Sequence, residues 1–277
     1  MEAEVSRVCE AVGGVEEGRM IHLVTFADES MSRARQLCAD SAIRHGVNQV
    51  HLCSPEFPTT ERGYGFWRWK PEMIIDRMNG TEFVDPLKDG EILIYSDAGI
   101  EFINSVSHII ERMDQDIFLF GNNWEHAHWC KRDIVQCVWP TGNDAPPDET
   151  VVLDPRPWSD FGKQVQASVI FFRVSDYSRK FVAEWLQWCL FEGGRLIDDS
   201  PSRVPNHPEF RENRHDQAIL TTLAYREGIK LHYWPSVYNK GGSPEFVYDK
   251  LPEYQSDDYP VLFSHHRKRN HEWSEAA

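Results

Sequence analysis

Residues 90–101 read Gly90-Glu91-Ile92-Leu93-Ile94-Tyr95-Ser96-Asp97-Ala98-Gly99-Ile100-Glu101. Ile92 to Tyr95 form an apolar run of β-favouring residues, and Asp89-Gly90 ahead of it is a turn signal. The run is continuous, not alternating. The strand it predicts is therefore covered on both faces, as in the parallel part of an α/β sheet. Asp97 falls at the carboxyl end of that strand, the edge where open α/β sheets bind ligands. Ala98 and Gly99 add no bulk, which leaves room for a large group near the backbone. Two readings of Asp97 follow: a turn residue closing the strand, or a carboxylate that faces a ligand and its metal.

Upstream, Ile21 to Ala27 reads as a first strand. Asp28 or Ser30 can cap a helix over about 30–45, with Ala34, Leu37, Cys38, Ala42 and Ile43 at helical spacing. Gly46 ends it, and Gln49 to Cys53 is a second strand, which completes a βαβ unit with the right-handed crossover such units take. A loop over 54–66 contains Pro55, Pro58, Gly63 and Gly65. Trp67-Arg68-Trp69-Lys70-Pro71 then opens a helix to about 79, Pro71 suiting its first turn.

Downstream, the pattern predicts a helix over about 103–113 and a strand at Ile117 to Phe120. An irregular segment over 121–163 holds His126, His128, Lys131 and Arg132, with a Pro-rich stretch around 140–157. Long irregular segments in a compact domain are often functional loops. A strand at Gln166 to Arg173 precedes a helix over about 177–191, capped by Ser175 or Asp176, with Phe181, Trp185, Trp188 and Cys189 on its apolar side. After a polar loop at 195–214, His215-Asp216-Gln217 opens a helix to about 226, and a late strand follows at 230–234. The fold class is α/β: an N-terminal tail or short helix over 1–18, then a single Rossmann-like domain over 19–277. Its central sheet is mostly parallel and flanked by helices.

The 277 residues carry a formal charge of −15, which makes a poor general nucleic-acid binder, since phosphate neutralisation supplies most of that affinity. No basic amphipathic helix and no membrane-spanning apolar run is evident, and the N-terminus has no apolar leader. The expectation is a cytoplasmic protein or a soluble domain of a larger one. The six cysteines show no zinc-like spacing. Cys38, Cys53 and Cys189 read as small buried hydrophobes, in keeping with a reducing compartment, although an even number leaves a disulfide open.

Four constellations can carry chemistry. Arg62 and Arg68-Trp69-Lys70-Pro71 set cations among aromatics near a helix start, which suits an anion or, equally, a core with a solvated edge. Asp97 with Glu101 offers oxygen ligands of the kind Mg²⁺ or Mn²⁺ takes beside a substrate phosphate. Asp216 in His215-Asp216-Gln217 is either a helix cap or a carboxylate directed at a sugar. His265-His266-Arg267-Lys268-Arg269 is either solvated surface or a closure over a diphosphate. Acid pairs such as Asp198-Asp199, Asp257-Asp258 and Glu16-Glu17 say little, because a glycosidase needs a set separation that sequence does not measure. GxSxG, HExxH, P-loop and GxGxxG motifs are absent.

Taken in chain order over about residues 20–270, these pieces resemble nucleotide-sugar glycosyltransferases of GT-A type. The segment Gly63-Tyr64-Gly65-Phe66-Trp67-Arg68-Trp69-Lys70-Pro71, the Tyr95-Ser96-Asp97-Ala98-Gly99 strand end and His215-Asp216-Gln217 resemble a bacterial and viral group of polysaccharide-related transferases. The resemblance implies a GT-A-like domain, a nucleoside-diphosphate sugar donor, UDP-linked as is commonest among look-alikes, and a glycan acceptor. It implies donor contacts at Thr25, Phe26, Ala27, Arg68, Lys70, Asp97, Ala98, Gly99, Ala167, Ser168, Gln217, Arg267 and Lys268. Asp97, His265 and His266 would hold Mn²⁺ or Mg²⁺. One departure stands out: where such enzymes carry Asp-x-Asp, the second acid is Gly99 here, so Glu101, His265 or His266 must compensate or cations must serve instead.

The implied reaction transfers a hexosyl or pentosyl group, with the departing diphosphate stabilised by Lys70, Arg68, the basic tail and any metal. Asp216 is the first candidate for catalysis and Asp160 the second. His215 and Trp158 are acceptor-binding candidates, and Trp124 is a further stacking candidate. The alternatives are a non-catalytic carbohydrate- or nucleotide-sugar-binding protein that keeps this fold, and a nucleotidyltransferase, for which the Gly- and Arg-rich loop after the first strand is missing.

Overall fold

The fold is a computed structural model that describes residues 19–53, 62–82, 84–139, 157–239 and 246–273. The expected tail over 1–18, Cys9, the Glu16-Glu17 pair, Pro55, Pro58 and most of the Pro-rich stretch lie outside the described residues. The described residues begin with β1 (Ile21–Phe26), α1 (Ser32–Arg44) and β2 (Gln49–Cys53). Asp28 accepts from the Ser30 amide and caps a 3-10 turn over Glu29–Met31, whereas α1 itself starts after Met31 without a side-chain cap. A short turn, α2 (Gly63–Phe66), leads into α3 (Trp69–Asn79) and then β3 (Ile92–Asp97). After β4 (Ile100–Phe102), α4 (Ser107–Ile110) is a single turn, followed by the long β5 (Ile117–Glu125) and α5 (Arg132–Val138). The second half runs β6 (Lys163–Val165), β7 (Val169–Arg173), α6 (Asp176–Leu190), α7 (His215–Arg226) and β8 (Leu231–Tyr233). It closes with β9 (Ser236–Tyr238), β10 (Phe246–Val247) and β11 (Phe263–His265).

The main sheet has seven strands in the order β2-β1-β3-β7-β5-β6, with β8 paired to β5. β1 lies parallel to both β2 and β3, and β8 parallel to β5, while β7 and β6 run against them, so five of seven strands point one way. The apolar runs are continuous because both faces are covered. In β3, Leu93 and Tyr95 pack on the side of α3, α6 and α7, and Ile92 and Ile94 on the side of α1. β7 divides likewise, Ile170 and Phe172 to one core, Val169 and Phe171 to the other. A second sheet, β10-β9-β11-β4, seals the α1 side, with β11 antiparallel to β4.

Three expectations are corrected. The helix over 103–113 is reduced to the one turn of α4, because Asn104, Ser105 and Ser107 bond one another and the local backbone, the Asn104 Oδ1 accepting from Ser105 N at 2.9 Å. The irregular segment contains the end of β5 and all of α5, and β6 starts at its last residue. The strand expected from Gln166 begins at Val169, because the Ser168 carbonyl turns to accept from Asp97 N at 2.8 Å. Cys38, Cys130 and Cys189 are buried, and the described cysteines are free thiols.

Helices α6 and α7 meet through Trp185, fully buried, whose indole Nε1 donates to the Asp216 carbonyl at 2.9 Å. Removing this ring should cost about 3–5 kcal/mol, the usual loss for truncating a buried Trp to Ala. Urea unfolding of Trp185→Ala measures it, with Trp185→Phe expected to retain most of the stability.

Candidate active site

A cleft of about 880 Å³ opens at the carboxyl ends of β1 and β3. At its centre is Lys70, in the first turn of α3 and only 6 % exposed. Its ammonium lies 3.2 Å from Asp97 Oδ1 and 3.9 Å from Asp216 Oδ2, and donates to the Ala167 carbonyl at 3.2 Å. Asp97 ends β3, with Tyr95 two residues before it on the same face, and the Tyr95 hydroxyl donates to Asp97 Oδ1 at 2.5 Å. Burial alone would raise the Asp97 carboxyl; Lys70, the Tyr95 hydroxyl and Arg267 together outweigh it and hold it below its ordinary value.

Asp216 behaves differently. It is 3 % exposed, and its Oδ2 has no hydrogen-bond partner among the described residues. Burial pushes its carboxyl up to about 7, against the pull of Lys70 and with the help of Asp97. The capping reading fails on position: Arg214 is the capping residue and Asp216 lies within the helix.

The walls are fixed by backbone held in unusual conformations. Gly63, Tyr64, Gly65, Phe66 and Trp67 all have positive φ, so α2 is wound left-handed. This turn lays the Phe66 and Trp67 rings against His215, at centroid distances of 5.3 and 5.1 Å. His215 also has φ 53° and bonds the Ile197 carbonyl through Nδ1 at 2.6 Å. Asp28 anchors the turn, accepting from the Tyr64 hydroxyl at 2.7 Å.

The basic tail forms another wall. The amides of His266 and Arg267 donate to the Gly99 carbonyl at 3.0 and 3.1 Å. Asn270 binds Glu29 O and Ser32 Oγ at 2.7 and 2.9 Å, fastening the tail to the start of α1. Arg267 and Arg269 thereby line the cleft.

Of the residues nominated from sequence, Phe26, Ala27, Lys70, Asp97, Ala98, Gly99, Ser168, His215, Asp216, Gln217, His265 and Arg267 line this cleft. Thr25 is fully buried behind it, opposite Ser96, and Ala167 contributes its carbonyl to Lys70. Arg68 flanks Gly65 at the start of α3, outside the lining. Lys268 lies over Trp273 at 5.1 Å, and His266 packs on the same ring at 5.4 Å, both turned from the cleft. Glu101 lies on β4 opposite Ser264, outside the lining. Asp160 is exposed on a turn beside β6, beyond β5 from the β1–β3 edge. Trp158 lies on the same turn with the Arg132 guanidinium 4.8 Å above its ring. Loop residues such as these carry no periodicity that would fix their place.

Sequence reasoning missed Arg214. Its guanidinium lies 4.5 and 4.4 Å from the rings of Trp124 and Trp129, which stack at 4.7 Å. Trp124 is 42 % exposed, so an aromatic and cationic shelf adjoins the cleft through Arg214. Its one sequence signal is adjacency to His215-Asp216-Gln217.

The residues nominated for a divalent cation do not offer a converging set of donors. His265 Nε2 accepts from Arg267 Nε at 2.6 Å, and His266 Nδ1 accepts from Lys268 N at 3.0 Å. Among the described residues, the donors that do converge are His128, His207 and Glu209, within 4.8 Å of one another and outside the cleft lining. There His207 Nδ1 accepts from Glu209 N at 3.1 Å, which leaves the ring proton on its other nitrogen.

No family model matches this chain, and no curated protein matches it. Among solved structures, the chain is similar to a glycosyltransferase involved in the glycosylation of the major capsid of PBCV-1, at 11% identity and TM-score 0.43 over 89% of this chain and 93% of that one. It is also similar to the bifunctional glycosyltransferase WbbM, at 11% identity and TM-score 0.47, where 93% of this chain spans about half of that chain, 47%. A third is the galactosyltransferase LgtC, in complex with donor and acceptor sugar analogs, at 12% identity and TM-score 0.47 over 89% of this chain and 87% of that one. At these identities the likeness is one of fold alone.

Proposed function

We propose that this protein is a glycosyltransferase that moves a sugar from a nucleoside-diphosphate sugar, UDP-linked, to a hydroxyl of a glycan acceptor. The observation that carries the reading is the Lys70 ammonium held between Asp97 and Asp216 at the ligand edge of the sheet. In a chain of net charge −15, the same cleft gathers Arg214, Arg267 and Arg269, a concentration of cations that suits an anionic ligand.

The bond from the anomeric carbon to the diphosphate oxygen breaks, and a bond to the acceptor oxygen forms. Negative charge grows on the departing diphosphate, and cations fixed in the cleft stabilise it. The acceptor hydroxyl gives its proton to Asp216, whose free Oδ2 and raised affinity for protons suit a general base near neutral pH. The Trp124–Trp129–Arg214 shelf seats the acceptor ring, and holding both substrates together supplies much of the remaining acceleration.

Incubation with UDP-, GDP- and dTDP-sugars plus glycan acceptors should release nucleoside diphosphate from one donor. Failure to consume any donor, with binding intact, would favour a carbohydrate-binding protein instead. Asp216→Asn should lower turnover by roughly 10²- to 10⁴-fold, with donor binding retained. Wild-type activity should rise with pH up to about 7 and then level. The folded carboxyl titrates above its unfolded value, so the fold loses stability as pH rises from about 4 to 7. Melting curves across that window should show a smaller loss for Asp216→Asn, which identifies Asp216 as the group that titrates there. Trp124→Ala should raise the acceptor KM several-fold and leave donor affinity unchanged, as measured by initial rates and calorimetry.

A further inference from the structure

We propose that Lys70 and Arg267 together take the place of the divalent cation in neutralising the bound diphosphate, so that donor binding needs no metal. The inference rests on the nucleoside-diphosphate reading above and concerns how the same cleft holds its charge.

Position 99 is the first ground. An Asp there would supply the second acid of an Asp-x-Asp pair. A Cβ on Gly99 would lie 2.9 Å from Arg267 Cα and 3.2 Å from its amide nitrogen. Real Cβ atoms essentially never approach backbone so closely. The Gly99 carbonyl also accepts from the His266 and Arg267 amides. A carboxylate at position 99 and this seat for Arg267 therefore exclude one another. Where the second acid would stand, the chain delivers a cation.

The second ground is how each cation is held. Arg267 has φ 52°, a left-handed conformation that an arginine adopts only when its surroundings impose it, here the two bonds to Gly99. Its Nε donates to His265 Nε2 at 2.6 Å, which uses the lone pair the histidine would need for a metal. The remaining guanidinium donors make no hydrogen bond or ion pair among the described residues, and the side chain is exposed on the cleft. Lys70 has three N–H donors; two are directed to Asp97 Oδ1 and the Ala167 carbonyl. Asp97, which would otherwise be the first metal ligand, is thus an anchor that fixes the ammonium. Lys70 balances Asp97, as the metal would, and the Arg267 charge is left for the diphosphate. The arginine adds a planar fork suited to phosphate oxygens.

The test is calorimetric titration of UDP, GDP and dTDP into the protein stripped with EDTA, repeated with MnCl₂. The expected result is binding of one nucleotide with the same affinity in both conditions. Arg267→Gln should weaken it roughly ten- to a hundredfold, the loss expected for a charge-assisted contact. Arg267→Lys should recover part of it. Arg267 is exposed, so its variants should melt with the wild type, and melting without ligand checks this. Gly99→Asp should weaken metal-free binding as Arg267→Gln does, by displacing the tail. Binding that appears only with manganese would overturn the inference and leave the transferase reading standing. Arg267→Gln binding as tightly as wild type would also overturn it. No binding of any nucleotide in either condition would overturn both.

Discussion

A buried ammonium must be compensated, and much of this molecule is arranged around that need. Lys70 is nearly inaccessible, and its partners come from three separate places: Asp97 from the end of β3, Ala167 from the turn before β7, and Asp216 from the start of α7. Taking a charge out of water costs several kcal/mol unless good geometry and further hydrogen bonds offset it. The lysine therefore fixes where α3, the sheet edge and α7 stand relative to one another. The same requirement explains why β7 starts late, since the turn ahead of it must present a carbonyl to the ammonium and another to the Asp97 amide.

Backbone strain is gathered at the same place. Of the six described non-glycine residues with positive φ, Tyr64, Trp67, His215 and Arg267 line the cleft and Phe66 packs on His215. Each such residue costs of order 1–3 kcal/mol and persists only where its surroundings over-determine it. The surroundings here are a doubly covered sheet whose two cores are closed by helices on one side and by α1 with the small sheet on the other. A scaffold of that rigidity can hold a left-handed turn, a left-handed helix start and a left-handed tail residue together around one cavity.

The parts of this arrangement visible in the sequence are those with periodicity. The β3 run is legible because both faces are apolar, and Asp97 is legible because the run stops there. The helices α1, α3, α6 and α7 announce themselves by spacing and by end signals such as Ser175, whose Oγ accepts from the Ser178 amide. The small sheet is not legible, since β4, β9, β10 and β11 are two or three residues long and no pattern forms over so short a run. Arg214 and Tyr64 are invisible for another reason: their places depend on contacts between segments far apart in the chain, Arg214 on the Trp124 and Trp129 rings and Tyr64 on the Asp28 carboxylate. Asp160 and Trp158 show the converse, residues of plausible chemistry whose turn is carried to the outer edge by β6.

Asp97 and Asp216 share one lysine yet shift in opposite directions, and the difference lies in what else each touches. Asp97 adds the Tyr95 hydroxyl and the nearby Arg267, and these outweigh its desolvation. Asp216 adds no donor to its Oδ2 and faces the negative charge of Asp97, so burial dominates. Two carboxylates whose surroundings drive them apart can hold different protonation states at one pH. The one that stays ionised keeps the ammonium in place, and the other holds its proton to a higher pH. That separation requires Lys70 to stand closer to Asp97, at 3.2 Å, than to Asp216, at 3.9 Å. It also requires Tyr95 to point where alternation along β3 directs it, to the face that carries Asp97. The division of labour thus follows from the same strand whose apolar run sets the fold.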